Sequence, residues 1–297
     1  MKSLNESLEK LFNTSPDNII LSRCNNGDVN SSYIASYGVN KYFIKIQDKE
    51  HLPDLYENQI EREVISTDLC TSQGIPCPQI LDYDLAAKFI ITEYMDYEVL
   101  GNLWGLLDLK KQKQIKDQAL CILEKMNNIQ SEYFGGLYKG GNLGQFNKWS
   151  DSYKNIVKIA LNDCLRYGSL TEDECKMITD KVNENCKQLD QEKQPTAVFS
   201  HLDLHWNNIF IDKGTQEIKG VFDFGSALYT PSYMSYFRLN GGFLYGTDSF
   251  YTKDTICPME LKRCEYECAK ILNTLDYFTF LSYKNMNYEM EKHILLE

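Results

Sequence analysis

The chain has no apolar run long enough to cross a bilayer, no Cys-x-x-Cys pair and no excess of basic residues. Each absence excludes a class of protein. A transmembrane helix needs roughly 20 mostly apolar residues in a row, and none occurs. The N-terminus, Met1-Lys2-Ser3-Leu4-Asn5-Glu6, has neither the apolar core nor the cleavage site of a signal peptide, so the expected location is the cytoplasm. With 31 Lys and Arg against 42 Asp and Glu, the formal net charge is −11. That argues against a nucleic-acid partner, because phosphate backbones demand a basic face. It suits a cationic small molecule, and equally well plain solubility. Only four His are present, and they make no convincing zinc set with the ten cysteines. The cysteines are scattered singly, and the closest pair, Cys264 and Cys268, stands at helical i,i+4 spacing that predicts a core face. All ten are read as reduced and structural.

What is there reads as a globular chain. At 297 residues, 43% apolar and 25% charged, it has ample core for one large or two ordinary domains. Residues 3 to 12 set Leu4, Leu8, Leu11 and Phe12 on one face behind Ser3, which predicts a capped helix broken at Ser15-Pro16-Asp17. Strands are predicted at Ile19–Leu21 and Tyr33–Tyr37, around a polar turn with Gly27, and again at Lys41–Ile46. Alternation puts Phe43 and Lys45 on one face of the last. A lysine on an inward face needs a partner, because a buried unpaired ammonium is costly. The helix expected from Glu57 to Ser72 offers Glu61 and Glu63 without choosing between them. Strands at Gln79–Tyr83 and Phe89–Met95 complete a small strand-rich lobe. Beyond it helices dominate: Asp108–Ile129, Trp149–Tyr167, Thr171–Leu189 with a Thr171/Glu174 capping box, Pro258–Lys284 with Pro in its first turn, and Tyr288–Leu296. Residues 133–147 read as a Gly-rich loop.

The chemistry is concentrated between Val198 and Ala227. Three apolar strand-like pieces, Ala197–Phe199, Ile209–Ile211 and Ile218–Phe222, alternate with polar turns. Asp203 and Asn208 stand five apart on the first connection, and Asp223 leaves the third piece just before Phe224-Gly225. Two carboxylates and an amide at strand ends suit phosphoryl transfer. Hard oxygen ligands from Asn208 and Asp223 would hold magnesium on a nucleotide's phosphates. Asp203 would orient an acceptor hydroxyl and take its proton.

The run Ser200-His201-x-Asp203-Leu204-His205-x-x-Asn208-Ile209, followed closely by Gly220-Val221-Phe222-Asp223-Phe224-Gly225, resembles the aminoglycoside phosphotransferase family and its choline-kinase relatives, within the protein-kinase-like superfamily. Two features depart from protein kinases: Leu202 replaces the usual Arg, and no Ala-Pro-Glu follows. The turn before the second strand has only Gly27, in a Gly-x-x-Asn-Ser pattern nearer to the phosphotransferases than to the kinase glycine loop.

The resemblance implies an α+β, bilobal protein-kinase-like fold. A strand-rich nucleotide-binding lobe would occupy residues 1–95, a hinge 96–101, and a mainly helical catalytic and substrate-binding lobe 102–297, with the nucleotide in the cleft. It implies that Gly27, Asn30 and Ser31 cover the phosphates and that Lys45 pairs the α- and β-phosphates, held by Glu63 with Glu61 as rival. Phe43 would stack on the base, and the main chain of Glu93 and Met95 would meet its edge. Asp203 is the implied catalytic residue, with Asn208 and Asp223 holding Mg2+. The implied reaction is ATP- or GTP-dependent O-phosphorylation of a small cationic substrate, foremost an aminoglycoside, whose ammonium groups would call on Asp163, Glu265, Glu267, Asp276, Glu289 or Glu291. A choline-type kinase is the alternative, using aromatic faces among Tyr229, Tyr233, Tyr236, Phe237, Tyr245 and Tyr251. A catalytically inactive nucleotide-binding module is a third reading, which Lys45, Asp203, Asn208 and Asp223 together count against. Neither nucleic acid nor membrane is an expected partner, and the oligomeric state stays open.

Overall fold

In the computed structural model, which describes residues 3–24, 29–47, 50–244 and 261–297, the first helix, α1 (Leu4–Phe12), starts where its cap predicts. The Ser3 hydroxyl accepts from Glu6 N and the Glu6 carboxylate accepts from Ser3 N. There follow β1 (Ile20–Arg23), β2 (Ser31–Tyr37), β3 (Asn40–Ile46), α2 (Gln59–Ser72), β4 (Ile80–Asp84), β5 (Phe89–Glu93), β6 (Glu98–Val99), α3 (Gly101–Trp104) and α4 (Leu109–Asn127). Next come β7 (Gln130–Ser131), β8 (Phe134–Gly135), β9 (Gln145–Phe146), α5 (Trp149–Arg166), α6 (Glu172–Leu189), β10 (Ala197–Ser200), β11 (Ile209–Ile211), β12 (Ile218–Val221) and β13 (Leu228–Thr230). The helices α7 (Ser232–Leu244), α8 (Arg263–Tyr283) and α9 (Glu289–Leu296) complete the order. Among the described residues, no helix is long and apolar enough to cross a membrane.

The chain divides into two compact units. The first comprises Met1–His51, Asn58–Ile122 and Trp206–Ser226; the second comprises Leu52–Glu57, Leu123–His205 and Ala227–Glu297.

An antiparallel sheet in the order β1-β2-β3-β5-β4 organises the first unit. Its two faces are set by the two-residue period of the strands. Ile44 of β3 pairs with Ile91 of β5, and both pack with Phe89 and Ala35 against Leu8 and Phe12 of α1. One residue on, Lys45 pairs with Ile90, and Ile90 packs with Ile60 and Val64 of α2. Lys45 is therefore delivered to the α2 face. The same unit holds the β11–β12 hairpin, which β6 extends to three strands.

In the second unit, β10 is the second strand of a five-stranded sheet in the order β7-β10-β13-β8-β9. The first apolar piece of the central motif thus pairs with residues 130–131 and 228–230, not with the other two pieces. The Gly-rich stretch 133–147 supplies β8 and β9 to this sheet. Around it, Trp149 of α5 is buried, stacks on Tyr153 and donates from Nε1 to the Tyr233 hydroxyl at 2.8 Å. The Thr171/Glu174 capping box starts α6 as predicted. Helix α8 starts at Arg263, later than predicted, with Lys262 as its cap; Pro258 lies outside the described residues. Cys264 and Cys268 face the core as their spacing predicts. All nine cysteines among the described residues are free thiols.

Candidate active site

Within the first unit, Lys45 is buried and doubly paired. Its Nζ lies 2.6 Å from Glu63 Oε2 and 3.0 Å from Asp223 Oδ1. The phase of α2 puts Glu63 in the interior at 7% exposure, while Glu61, two residues earlier and so roughly on the opposite side of the helix, is only half-buried. Burial works against the Lys45 charge, but Asp223 and Glu63 outweigh it and hold its pKa above the ordinary lysine value. Burial also pushes Glu63 up; Lys45 opposes that shift and Asp223 reinforces it. The two carboxylates thus compete for one ammonium.

Asp223 reaches Lys45 because β12 ends in a sharp turn. Its φ is +64°, in the left-handed region, which Asp tolerates better than most residues. The turn is closed over Gln59: a Cβ at Gly225 would lie 3.2 Å from Gln59 Cδ. Phe222 N donates to Asn208 O at 3.1 Å, and the Phe222 ring stacks on Phe210 at 4.3 Å. These contacts set the backbone of buried Asn208 beside the residue preceding Asp223. Asp223 keeps its side chain 42% exposed, so one carboxylate oxygen is committed to Lys45 and the group remains accessible. Amide and carboxylate oxygens are both hard donors of the kind a divalent cation takes.

The phosphate-loop candidates fall near the same face. Asn30 is buried and donates from Nδ2 to Gln59 Oε1 at 2.9 Å, while its Oδ1 is buried without a partner. Ser31 begins β2 opposite Ile46; Gly27 lies outside the described residues. Phe43 is half-buried on β3, paired with Ile34 and Thr92. Glu93 ends β5 with its N–H donating to Gln79 O and its carbonyl accepting from the Thr92 hydroxyl. Met95 follows the strand, and its Cε would meet a Cβ at Gly220 at 3.1 Å.

Within the second unit, Asp203 lies at the end of a strained loop. Leu202 has φ +58°, a conformation that costs a non-glycine residue about 1–3 kcal/mol. Asp203 N donates to His201 Nδ1 at 3.2 Å. Its carboxylate faces His205 Nε2 at 3.6 Å and an Arg238 nitrogen at 3.5 Å. Burial would raise the Asp203 pKa, but His205, Arg238 and His201 win and hold it below the ordinary value. Arg238 also pairs with Asp276 at 3.0 Å. Burial holds the Asp276 pKa up despite Arg238, and Asp203 adds to the shift. The sequence reading missed Arg238, and only its position between aromatic residues of α7 marked it.

Several substrate-pocket candidates have structural duties instead. The Asp163 side chain is fully buried; it accepts from Asp54 N at 3.0 Å and Leu55 N at 3.3 Å and pairs with Arg166. Glu265 caps α8, accepting from Lys262 N at 2.9 Å. Glu291 is buried and Glu289 is exposed, both in the first turn of α9; Glu267 is half-buried on α8. Tyr233 and Phe237 belong to the core, while Tyr229 and Tyr236 are partly exposed. Tyr245 and Tyr251 lie outside the described residues.

A five-stranded sheet with a lysine–glutamate pair, followed by a helical part carrying the His-x-Asp loop, is the protein-kinase-like α+β fold. Solved structures of this fold superpose over nearly the whole chain. A protein assigned as a fructosamine-3-kinase from Haemophilus somnus is 14% identical with a TM-score of 0.68, covering 99% of this chain and 97% of its own. A thermostable mutant of aminoglycoside phosphotransferase APH(4)-Ia, solved with ADP and hygromycin B, is 11% identical with a TM-score of 0.65 and the same coverages. Choline kinase LicA from Streptococcus pneumoniae is 13% identical with a TM-score of 0.63, covering 99% and 94%. No curated protein sequence matches the chain. The model of the phosphotransferase enzyme family matches residues 21–234. The chain belongs to that family and is a phosphotransferase.

Proposed function

We propose that this phosphotransferase moves the terminal phosphoryl group of ATP or GTP to a hydroxyl of a small cationic molecule, foremost an aminoglycoside. The observation that carries this reading is the buried Lys45 paired with both Glu63 and Asp223. A lysine held by two carboxylates has its ammonium fixed in place and charged, ready to pair with phosphate oxygens. Glu63 keeps it oriented. Asn208 and Asp223 would hold magnesium, which when bound neutralises charge on the nucleotide's phosphates. Asp203, ionised over the working pH range because its pKa is depressed, orients the acceptor hydroxyl and takes its proton. Phe43 and the main chain of Glu93 and Met95 receive the base, with Asn30 and Ser31 at the phosphates. Most of the catalytic effect is positioning and electrostatics.

A cationic acceptor is supported by the net charge of −11 and by the likeness in fold to aminoglycoside phosphotransferases solved with hygromycin B and with streptomycin. A choline-type acceptor is the second reading, supported by the likeness to choline kinase LicA and by partly exposed Tyr229 and Tyr236. Free thiols at all nine described cysteines suit a reducing compartment such as the cytoplasm. A panel of aminoglycosides, choline and simple amino alcohols, each with ATP and with GTP, separates these readings. Transfer to aminoglycosides supports the first reading and transfer to choline alone the second. Nucleotide binding with no transfer to any of them favours an inactive binding module.

The metal assignment has its own expected result. Asp223→Ala removes an oxygen ligand and a charge, whereas Asn208→Ala removes an oxygen ligand only, so the first should raise the magnesium requirement more. Magnesium titration at fixed nucleotide reads this. An unchanged requirement in Asp223→Ala removes that residue from the metal site.

A further inference from the structure

Arg238 is a nearly buried cation in the second unit, its side chain only 14% exposed, and each of its three side-chain nitrogens has a partner. Nε donates to Leu202 O at 2.6 Å. One terminal nitrogen donates to Asn273 Oδ1. The other lies 3.0 Å from Asp276 Oδ2 and 3.5 Å from Asp203 Oδ1. Asp276 in turn accepts from the Tyr56 hydroxyl, through its main-chain oxygen at 3.2 Å and Oδ1 at 3.3 Å. Tyr56 is itself fixed, because it ends a 3₁₀ turn whose Asp54 and Leu55 N–H groups are held by the buried Asp163 carboxylate.

The planar guanidinium fork matches this set in a way that a lysine ammonium does not. It grips the peptide of left-handed Leu202 and, one residue on, the Asp203 carboxylate, so it controls both the loop's backbone and its reactive side chain. With all its nitrogens engaged, Arg238 is built to hold rather than to bind a ligand.

We propose that Arg238, itself held by Asp276, Asn273 and Tyr56, is the positioning residue that fixes the Asp203 carboxylate for phosphoryl transfer. The inference rests on the reading of Asp203 as the residue that receives the acceptor hydroxyl. The groups that face or charge Asp203 are His201 and His205 on its own loop, Arg238 on α7, Asp276 on α8 and, through Asp276, Tyr56. Of these, Arg238 is the permanently charged one, and it helps to keep the Asp203 pKa low.

The test uses the full chain with MgATP, reading ATP hydrolysis with water as acceptor and the Asp203 carboxyl titration by carbon NMR, with Asp203→Asn identifying the resonance. Arg238→Met should raise the Asp203 pKa by about one unit, the low end for a lost neighbouring charge at a partly exposed carboxylate. It should lower kcat by about tenfold or more with the nucleotide KM nearly unchanged. Arg238→Lys should restore most of the titration but not the rate, because it returns the charge without the fork. Tyr56→Phe should give a smaller loss of kcat. It also serves where Arg238→Met fails to fold, since it removes one hydroxyl only. If neither the Asp203 titration nor kcat moves in Arg238→Met and Tyr56→Phe, or if only thermal stability falls, the proposal is overturned. Should Asp203→Asn keep full turnover, the reading of Asp203 fails, while the titration shift still reports the Arg238 clamp.

Discussion

Asp203→Ala is expected to abolish turnover while leaving nucleotide affinity nearly intact. Positioning and general-base roles are each worth on the order of 10²-fold or more, and both reside in this carboxylate under the proposed function. Lys45 pairs with both Glu63 and Asp223 in the first unit, and neither contact involves Asp203. The pH profile carries a sign. The working form is the carboxylate, so activity falls as pH drops through the Asp203 pKa, and His205, Arg238 and His201 hold that pKa below the ordinary value. The acid limb of kcat/KM should therefore lie below the usual aspartate range. If Asp203→Ala keeps more than about a tenth of wild-type kcat, against the magnitudes above, Asp203 is not the catalytic residue.

Lys45→Met is expected to cost both activity and stability, and the stability loss should depend on pH. Methionine replaces the packing of the stem, but it leaves Glu63 buried without its cation beside Asp223. Breaking a buried pair by removing one partner costs about 3–5 kcal/mol when the remaining charge cannot escape. Glu63 can escape by taking a proton, and its folded pKa is already raised. A carboxylate with a raised folded pKa contributes stability below its unfolded pKa and loses it as pH rises through the folded value. The melting temperature of Lys45→Met should therefore fall most near neutral pH and recover in mild acid. Glu63→Gln removes the charge that causes the loss, so Lys45→Met/Glu63→Gln should be more stable than Lys45→Met alone and scarcely less active. Glu61→Gln should be near neutral. Additive losses of both stability and activity in the double variant would show that Lys45 and Glu63 do not act as a pair.

The fold was legible where local chemistry decides it. Ser3 with Glu6 and Thr171 with Glu174 cap their helices, and the alternation in β3 and β5 assigns Ile44 and Lys45 to opposite faces. The choice between Glu61 and Glu63 was not legible. It turns on where α2 starts, and Asn58 enters the helix from a left-handed conformation at φ +56° that no cap motif announces. The pairing of β10 with residues 130–131 and 228–230 was also out of reach, because long-range strand partners leave no mark in a three-residue apolar piece. Among the candidate residues, Asp203, Asn208 and Asp223 stood out through spacing and residue type. Arg238 did not, since it lies 35 residues from Asn273 and further from Asp276 in sequence and has meaning only once α7 and α8 are packed.

The central claim is that this chain carries the nucleotide's terminal phosphoryl group to a hydroxyl oxygen. Phosphorus NMR of the purified protein with MgATP and an aminoglycoside panel tests it most directly. The account predicts a new phosphate-monoester resonance on an acceptor, rising in step with ADP, present for the wild type and absent for Asp203→Ala. ADP appearing only with inorganic phosphate, or an ester formed equally well by Asp203→Ala, would contradict it.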